Sequence, residues 1–336
     1  MTNNKFQNIF ENHYKKRLSN IEKNVLYDNN GIKEKIIIQS TELREDNYPN
    51  ILYHGHKTDH VIVLIHGFTD SPYYMKDIAE LFYLQGANVI LPLLPGHGLS
   101  STDDALKKLQ DFGLDKKWKE EVDTIVEIAQ MIGTNVSIGG LSTGGALSVN
   151  KVLRDSQQIN GGIFLFSAAL SVGKKNESAK KCPIIQPLVM LYESSRFFIK
   201  KLFGQIHNDE DPYKYSFFSK VGALELVDII NENNKLLNQE GTVITQPIFA
   251  AHSDSDETAK KEGIVNLLSH KFDTNICSDR ESFYIEKDLK VEHANLVLKN
   301  DIPYINNPEK KESGNIVFDK MMNAAINFYK KNVVKQ

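Results

Sequence analysis

The sequence predicts an α/β protein with a mostly parallel central sheet, helices on both faces and a helical cap insertion. Apolar, β-branched segments alternate with segments of helical periodicity over residues 51–170 and again over residues 242–336. Residues 171–241 contain helical patterns without a strand, and this break in the alternation predicts the cap (lid). Residues 1–50 are expected to form an N-terminal appendage of helix and strand.

Apolar patterning predicts each element of the first half in turn. Val61–Ile65 is a run of five apolar residues, which is typical of a central strand that is covered on both faces. Residues 114–131 have the 3.6-residue apolar spacing of an amphipathic helix. The remaining elements predicted here are helices at 4–25 and 71–84 and strands at 34–39, 50–54 and 88–92.

In the second half of the sequence, the same patterns predict strands at 162–168, 243–251 and 282–286 and helices at 184–203, 213–237, 259–270 and 315–329. The cap helix at 184–203 is rich in large apolar side chains, among them Phe197, Phe198 and Phe203. Apolar residues at helical spacing usually pack onto a core, and a subset of these could instead contact an apolar substrate.

Composition is that of an ordinary soluble globular protein. Apolar residues make up 41% of the chain and charged residues 25%, and 40 basic against 43 acidic residues give a formal net charge of -3. No basic stripe is present, so nucleic acid is not an expected partner. With neither an 18-residue apolar run nor an apolar N-terminal region, we expect no transmembrane segment, no secretory signal and a cytoplasmic location. Signal-independent secretion would leave the same pattern.

No cofactor or metal is expected. His54, His56 and His60 lie close together, but no carboxylate or cysteine stands at ligand spacing from them, so a surface hairpin is predicted there. The two cysteines, Cys182 and Cys277, are too few for a disulfide framework, and free thiols are predicted. No pattern predicts an oligomeric state.

The most informative motif is Gly140-Leu141-Ser142-Thr143-Gly144, which lies between a predicted strand at 135–139 and a predicted helix at 145–154. A G-x-S-x-G sequence on a strand-to-helix turn is typical of a nucleophile elbow. Glycines on either side of the serine relieve the crowding of so sharp a turn. Ser142 is therefore the candidate nucleophile.

A nucleophilic serine needs a base, and the base needs an acid that orients it. The acid is expected after a late strand, where Asp254 and Asp256 compete; resemblance to a His-Gly-x-x-Asp pattern beginning at His252 favours Asp256. His293 follows the next strand and precedes the last helix, so it is the candidate base.

Two backbone N–H groups are candidates for an oxyanion hole. Thr143 directly follows the serine at a helix N-terminus, and Phe68 lies in the His66-Gly67-Phe68-Thr69-Asp70 loop after a central strand. His66 precedes the serine in the chain and is predicted to hold this loop. His97, in Pro95-Gly96-His97-Gly98, is likewise predicted to fix its own loop.

These motifs resemble those of serine α/β-hydrolases of the carboxylesterase and monoacylglycerol-lipase type. The resemblance covers residues 61–298 and implies the α/β-hydrolase fold, with Ser142 as nucleophile, His293 as base, Asp256 as orienting acid, and Phe68 and Thr143 as oxyanion donors. The first 50 residues, the cap and residues 300–313 depart from the pattern.

The expected function is hydrolysis of carboxylic esters through an acyl-enzyme. Short or medium acyl esters and monoacylglycerol- or lysophospholipid-like lipids are the expected substrates, and lipids imply transient contact with a lipid surface. The same triad could act as a thioesterase, amidase or peptidase. A non-catalytic binding protein on this fold is the third alternative.

Overall fold

A nine-stranded mixed sheet forms the centre of the molecule in a computed structural model that describes residues 3–27, 34–171, 211–217, 219–270 and 279–334. Its spatial order is β1-β2-β3-β5-β4-β6-β7-β8-β9. The six strands β4 to β9 are parallel to one another. β1, β2 and β3 are added at one edge of the sheet by antiparallel pairing. The strands are β1 (Ile21–Tyr27), β2 (Glu34–Ser40), β3 (Asn50–Tyr53), β4 (Thr58–Ile65), β5 (Asn88–Leu91), β6 (Gly133–Leu141), β7 (Ile163–Phe166), β8 (Ile248–Ser253) and β9 (Arg280–Ile285).

Helices cover both faces of the sheet. Side chains of α2 and α8 pack on one face, and those of α1 and α3 to α7 pack on the other. None of the described helices is long and apolar enough to cross a bilayer. The helices are α1 (Asn3–Lys15), α2 (Lys76–Tyr83), α3 (Thr102–Leu109), α4 (Leu114–Ile132), α5 (Thr143–Arg154), α6 (Lys220–Leu237), α7 (Lys261–Ser269) and α8 (Phe318–Tyr329).

The central strand β4 contributes side chains to the apolar clusters on both faces of the sheet. Val61, Val63 and Ile65 belong to the apolar cluster on the α4–α5 face, while Ile62 and Leu64 belong to the cluster on the α2 face. All five side chains are fully buried. Successive strand side chains point to opposite faces, so a continuous apolar run fits a strand that is covered on both sides. The predicted α/β fold class is thus confirmed.

The predicted helix at 4–25 is wrong in its second half. The helix ends at Lys15, and Ile21–Tyr27 forms β1, which pairs with β2. Asn20 has φ of 47°, a left-handed conformation that a helix cannot continue through. Ile21 and Val25 then pack against the core from the strand, so tertiary contacts override the helical spacing.

The predicted surface hairpin around His54, His56 and His60 is also wrong. β3 and β4 are consecutive in the chain, but β5 lies between them in the sheet and pairs with both. The helix α3 was not predicted, although Ser101 caps it by accepting the Asp104 N–H at 3.2 Å. The helix predicted from 213 begins only at Lys220, where Ser219 caps it.

Two predictions lie outside the described residues. They are the cap helix at 184–203 with its aromatic side chains, and the thiol state of Cys182 and Cys277. The division into appendage, core and cap stays a prediction.

Substitution of Gly139 tests whether the close approach of β6 and β7 contributes to stability. A Cβ atom at this position would lie 2.0 Å from the carbonyl oxygen of Phe164, which is backbone and cannot move aside. We expect Gly139→Ala to lower the free energy of unfolding by about 3 kcal/mol or more in urea titrations, because two paired strands must separate. Gly86→Ala is the control: its φ is +88° but nothing lies within 4 Å, so about 1 kcal/mol is expected. Equal losses for the two variants would contradict the packing explanation.

Candidate active site

Ser142 lies at the turn between β6 and α5 in a backbone conformation that is unusual for a residue with a side chain. Its φ and ψ are 51° and -110°. Its N–H donates to the Phe166 carbonyl at 3.1 Å, and its carbonyl accepts the N–H groups of Ala146 and Ala169, both at 3.0 Å. These three hydrogen bonds stabilise a strained conformation of the kind that concentrates at functional sites.

The flanking glycines are explained by the proximity of β4. A Cβ atom at Gly140 would lie 2.1 Å from the Ile65 carbonyl oxygen, and one at Gly144 would lie 2.0 Å from the same atom. No side chain fits at either position, so α5 can start directly above the sheet only with glycine there.

Thr143 is the first residue of α5 and is fully buried. The N–H groups of the first helical turn have no partner within the helix, and they lie at the positive end of the helix dipole. The Thr143 N–H therefore belongs to the positive end of α5, directly beside Ser142.

Asp256 and His293 come together although 37 residues separate them. His293 Nδ1 donates to Asp256 Oδ2 at 2.7 Å. The other carboxylate oxygen accepts the N–H groups of Thr258 at 2.8 Å and Ala259 at 2.9 Å. Burial acts to raise the pKa of Asp256, but the His293 ring and these N–H groups outweigh it and hold the pKa below its usual value. An ionised carboxylate can only accept, so the proton of this hydrogen bond is on His293 Nδ1.

Asp254, the competing acid, lies in a different environment. Its carboxylate is 39% exposed and pairs with Lys261 at 2.6 Å. Its backbone N–H donates to the Ile285 carbonyl, which directs the residue along the end of β9. Of the two aspartates, only Asp256 bonds to His293 in the described part of the chain.

Ser142 and His293 line the same cavity. Within the described residues, no hydrogen bond joins the Ser142 hydroxyl to the imidazole. Catalytic hydrogen bonds are often longer in unliganded enzymes and shorten in the substrate complex.

Phe68 also lines this cavity and lies in the loop that follows β4. His66 and His97 hold this loop: His66 Nδ1 donates to the Gly67 carbonyl at 2.8 Å, and His97 Nε2 donates to the Phe68 carbonyl at 2.6 Å. Burial lowers the pKa of His97 to about 4 and that of His66 well below its usual value, so both rings are neutral. Trp118, on α4, packs edge-on against the Phe68 ring at 6.0 Å.

The cavity has a volume of about 910 Å³ and two chemically different walls. One wall is apolar and comes largely from α6, with Ala223, Leu226, Val227 and Ile230. The other carries charged side chains, including Asp70, Lys214 and Glu312. Ser142 lies in the lining of the same cavity.

The charged wall was not predicted from the sequence. Lys214 pairs with Glu312 at 2.7 Å, and Glu312 comes from residues 300–313, which form a short two-stranded hairpin. Burial raises the pKa of Asp70 to about 6, although the charges of Lys214 and His293 oppose the shift. Asp70 stood in a motif that was already singled out, but no local signal in the chain marks Lys214 or Glu312 as neighbours. Among the described residues, no group of three or more His, Cys, Asp or Glu side chains could hold a metal ion.

Comparison with known protein families identifies a match over most of the chain. The family model Hydrolase_4, described as serine aminopeptidase, S33, matches residues 56–271. One curated relative, the thermostable monoacylglycerol lipase of Bacillus sp. (strain H-257), is 31% identical over 88 residues. This match covers 26% of the present chain and 33% of the relative, so the chain spans about a third of the length of the curated protein it matches.

Solved structures support the fold. A structure described with the metagenome-derived lipolytic enzymes LipS and LipT has a TM-score of 0.57 at 16% identity and covers 86% of this chain and 100% of its own. The monoacylglycerol lipase of Paleococcus ferrophilus has a TM-score of 0.55 at 15% identity, covering 85% and 98%. These similarities confirm the predicted α/β-hydrolase fold.

The Asp256–His293 contact predicts how fast Ser142 reacts with a fluorophosphonate. We expect Asp256→Asn to slow covalent labelling of Ser142 by about a hundredfold or more, because an amide no longer stabilises the imidazolium and can select the wrong tautomer. Asp254→Asn is the matched control and should label at the wild-type rate. Labelling is followed by mass mapping of the modified peptide. If Asp254→Asn slowed the labelling and Asp256→Asn labelled at the wild-type rate, Asp254 rather than Asp256 would be the orienting acid.

Proposed function

The chain belongs to the serine aminopeptidase S33 (Hydrolase_4) family, and from this premise we propose that it is a serine hydrolase that cleaves carboxylic esters. The observation that carries the proposal is the convergence of the strained Ser142 and the Asp256–His293 pair on one cavity. Ser142 acts as nucleophile, His293 as base, and Asp256 as the acid that orients the base.

The first half-reaction transfers the acyl group to the enzyme. His293 Nε2 takes the proton from Ser142 as Oγ attacks the ester carbonyl carbon, and the carbonyl oxygen becomes an oxyanion. The backbone N–H groups of Phe68 and Thr143 stabilise this oxyanion. The C–O bond to the alcohol then breaks, and the proton on His293 passes to the departing alkoxide.

The second half-reaction returns the enzyme to its starting state. His293 takes a proton from water, and the resulting hydroxide attacks the acyl-enzyme carbonyl. A second oxyanion forms in the same place and collapses, which releases the carboxylic acid and returns the proton to Ser142. No step needs a group beyond these side chains, the backbone and water.

The two walls of the cavity support an amphipathic substrate. The apolar wall of α6 suits an acyl chain of short to medium length, and the charged wall suits the alcohol part of the ester. Single-chain esters such as monoacylglycerols have this division. The Bacillus relative is named a monoacylglycerol lipase, which supports the same substrate class.

Amide hydrolysis is the second candidate, because the family is described as serine aminopeptidases. The lining of the cavity includes more carboxylate than ammonium side chains, and in this alternative the carboxylates bind a substrate amino group. Comparing p-nitrophenyl esters with aminoacyl p-nitroanilides separates the two candidates. Higher kcat/KM for the anilides would replace ester hydrolysis by peptide hydrolysis.

A panel of p-nitrophenyl esters tests the proposal. We expect turnover that is highest for medium acyl chains, because acetate leaves most of the apolar wall empty. Ser142→Ala should lose at least about a thousandfold in kcat, since no other group can form the acyl-enzyme. Equal kcat for Ser142→Ala and the wild type, across all chain lengths, would refute the proposal.

Ionisation of Asp70 predicts a pH-dependent preference for cationic alcohols. Its pKa is raised to about 6, so the carboxyl is neutral at lower pH and carries a negative charge at higher pH. The ratio of kcat/KM for butyrylcholine to that for its uncharged isostere 3,3-dimethylbutyl butyrate should rise about fivefold from about pH 5 to about pH 7.5. The ratio cancels the titration of groups that act on both esters. In the Asp70→Asn variant this ratio should not change with pH. If it still rose with pH in that variant, Asp70 would not be the cause of the rise.

A further inference from the structure

Tyr14, in the last turn of α1, and Arg17, just after the helix, bind the backbone N–H and C=O of Leu93 in the loop that follows β5. The Tyr14 hydroxyl accepts the Leu93 N–H at 3.1 Å, and the Arg17 guanidinium donates to the Leu93 carbonyl. Arg17 also lies over the Tyr14 ring, 4.6 Å from its centroid. Two side chains from the N-terminal segment thus fix the peptide units on both sides of Leu93, which lies 79 positions after Tyr14 and 76 after Arg17.

A buried carboxylate on α4 holds these two side chains in turn. Tyr14 donates its hydroxyl proton to Glu121 Oε1 at 2.8 Å, and Arg17 pairs with Glu121 Oε2 at 3.0 Å. His13 also contacts Oε2 at 2.7 Å. Burial acts to raise the pKa of Glu121, but Arg17, His13 and Tyr14 outweigh it, so its pKa lies below the usual value and the group is ionised. Because Glu121 takes the hydroxyl proton, the Tyr14 oxygen presents a lone pair to Leu93.

The next residue links this contact to the loop after β4. The Leu94 N–H donates to His66 Nε2 at 3.1 Å. A backbone N–H can only donate, so Nε2 must be the unprotonated nitrogen and the proton of the neutral ring must be on Nδ1. His66 Nδ1 then donates to the Gly67 carbonyl at 2.8 Å.

The Gly67 carbonyl and the Phe68 N–H belong to the same peptide unit. A trans peptide is planar, and its C=O and N–H point in opposite directions. A hydrogen bond that fixes the carbonyl therefore also fixes the direction of the N–H. His97 Nε2 holds the following carbonyl, that of Phe68, at 2.6 Å, so the peptide planes on both sides of Phe68 are fixed.

We propose that Tyr14 and Arg17 are positioning residues for the oxyanion hole, acting through Leu93, Leu94 and His66 on the Phe68 N–H. This inference rests on the proposed function, in which that N–H binds the oxyanion. The N-terminal segment then contributes to the geometry of the oxyanion hole without lining the cavity. The backbone N–H of Thr143, held by α5, does not depend on it.

Tyr14→Phe tests the proposal, because it removes the hydroxyl and leaves the ring. We expect kcat to fall about tenfold with KM within about twofold, since a displaced oxyanion donor weakens binding of the transition state more than that of the substrate. The inhibition constant of phenylboronic acid, which forms a tetrahedral anion on Ser142, should rise by a similar factor. Arg17→Met, which keeps an apolar stem over Tyr14, should shift both quantities in the same direction.

Tyr83→Phe is the matched control. Tyr83 is also a buried tyrosine, and its hydroxyl donates to the Tyr53 carbonyl at 3.3 Å on the α2 face of the sheet. This variant should lower Tm and leave kcat and the boronate inhibition constant at wild-type values. All assays are run well below the lowest Tm. If Tyr14→Phe lowers Tm but keeps both quantities unchanged, its role is structural only and the proposal is overturned.

A spectroscopic measurement separates this proposal from the proposed function. In ¹⁵N-labelled protein, the His66 ring should carry its proton on Nδ1 in the wild type and show a mixture of tautomers in Tyr14→Phe. This readout needs no substrate. An inactive wild type would refute the proposed function alone, whereas an unchanged His66 tautomer together with unchanged kcat in Tyr14→Phe would refute the positioning role alone.

Discussion

The approach of α5 to the end of β4 is the constraint on which the site depends. The Ile65 carbonyl oxygen occupies the space where Cβ atoms of Gly140 and Gly144 would otherwise lie. This contact sets the height of the helix above the sheet and forces the turn to reverse within one residue. Ser142 takes up the resulting strain in its φ of 51°. The hydroxyl position and the Thr143 N–H both follow from this single backbone contact.

Parallel strands bring the remaining groups to the same edge of the sheet. Phe68 follows β4, Ser142 follows β6, Asp256 follows β8 and His293 follows β9, each in the segment after the strand's carboxyl end. In open α/β sheets ligands bind outside these ends. Residues that are far apart in the chain therefore meet without any local sequence signal, provided that the strand order is right.

Much of this arrangement could be predicted from the sequence, because it depends on local patterns. The apolar run at Val61–Ile65 and the glycine-flanked serine each reflect a nearby backbone requirement. The end of α1 was predicted wrongly, since β1 is stabilised by pairing with β2 rather than by its own residues. The contact of Lys214 with Glu312 joins residues 98 positions apart, and that of Tyr14 with Leu93 joins residues 79 positions apart; no periodicity encodes such pairs.

The fluorescence of Trp118 can report on the loops around it. It is the single tryptophan of the chain, it is fully buried, and its indole N–H donates to the Pro95 carbonyl at 3.0 Å. Its ring lies edge-on to Phe68 and 5.9 Å from His97. Indole emission responds to the polarity and motion of its surroundings, so intrinsic fluorescence excited at the indole band monitors the loops after β4 and β5 rather than an average over the fold. Ligand titrations and stopped-flow experiments can therefore follow these loops without any attached dye.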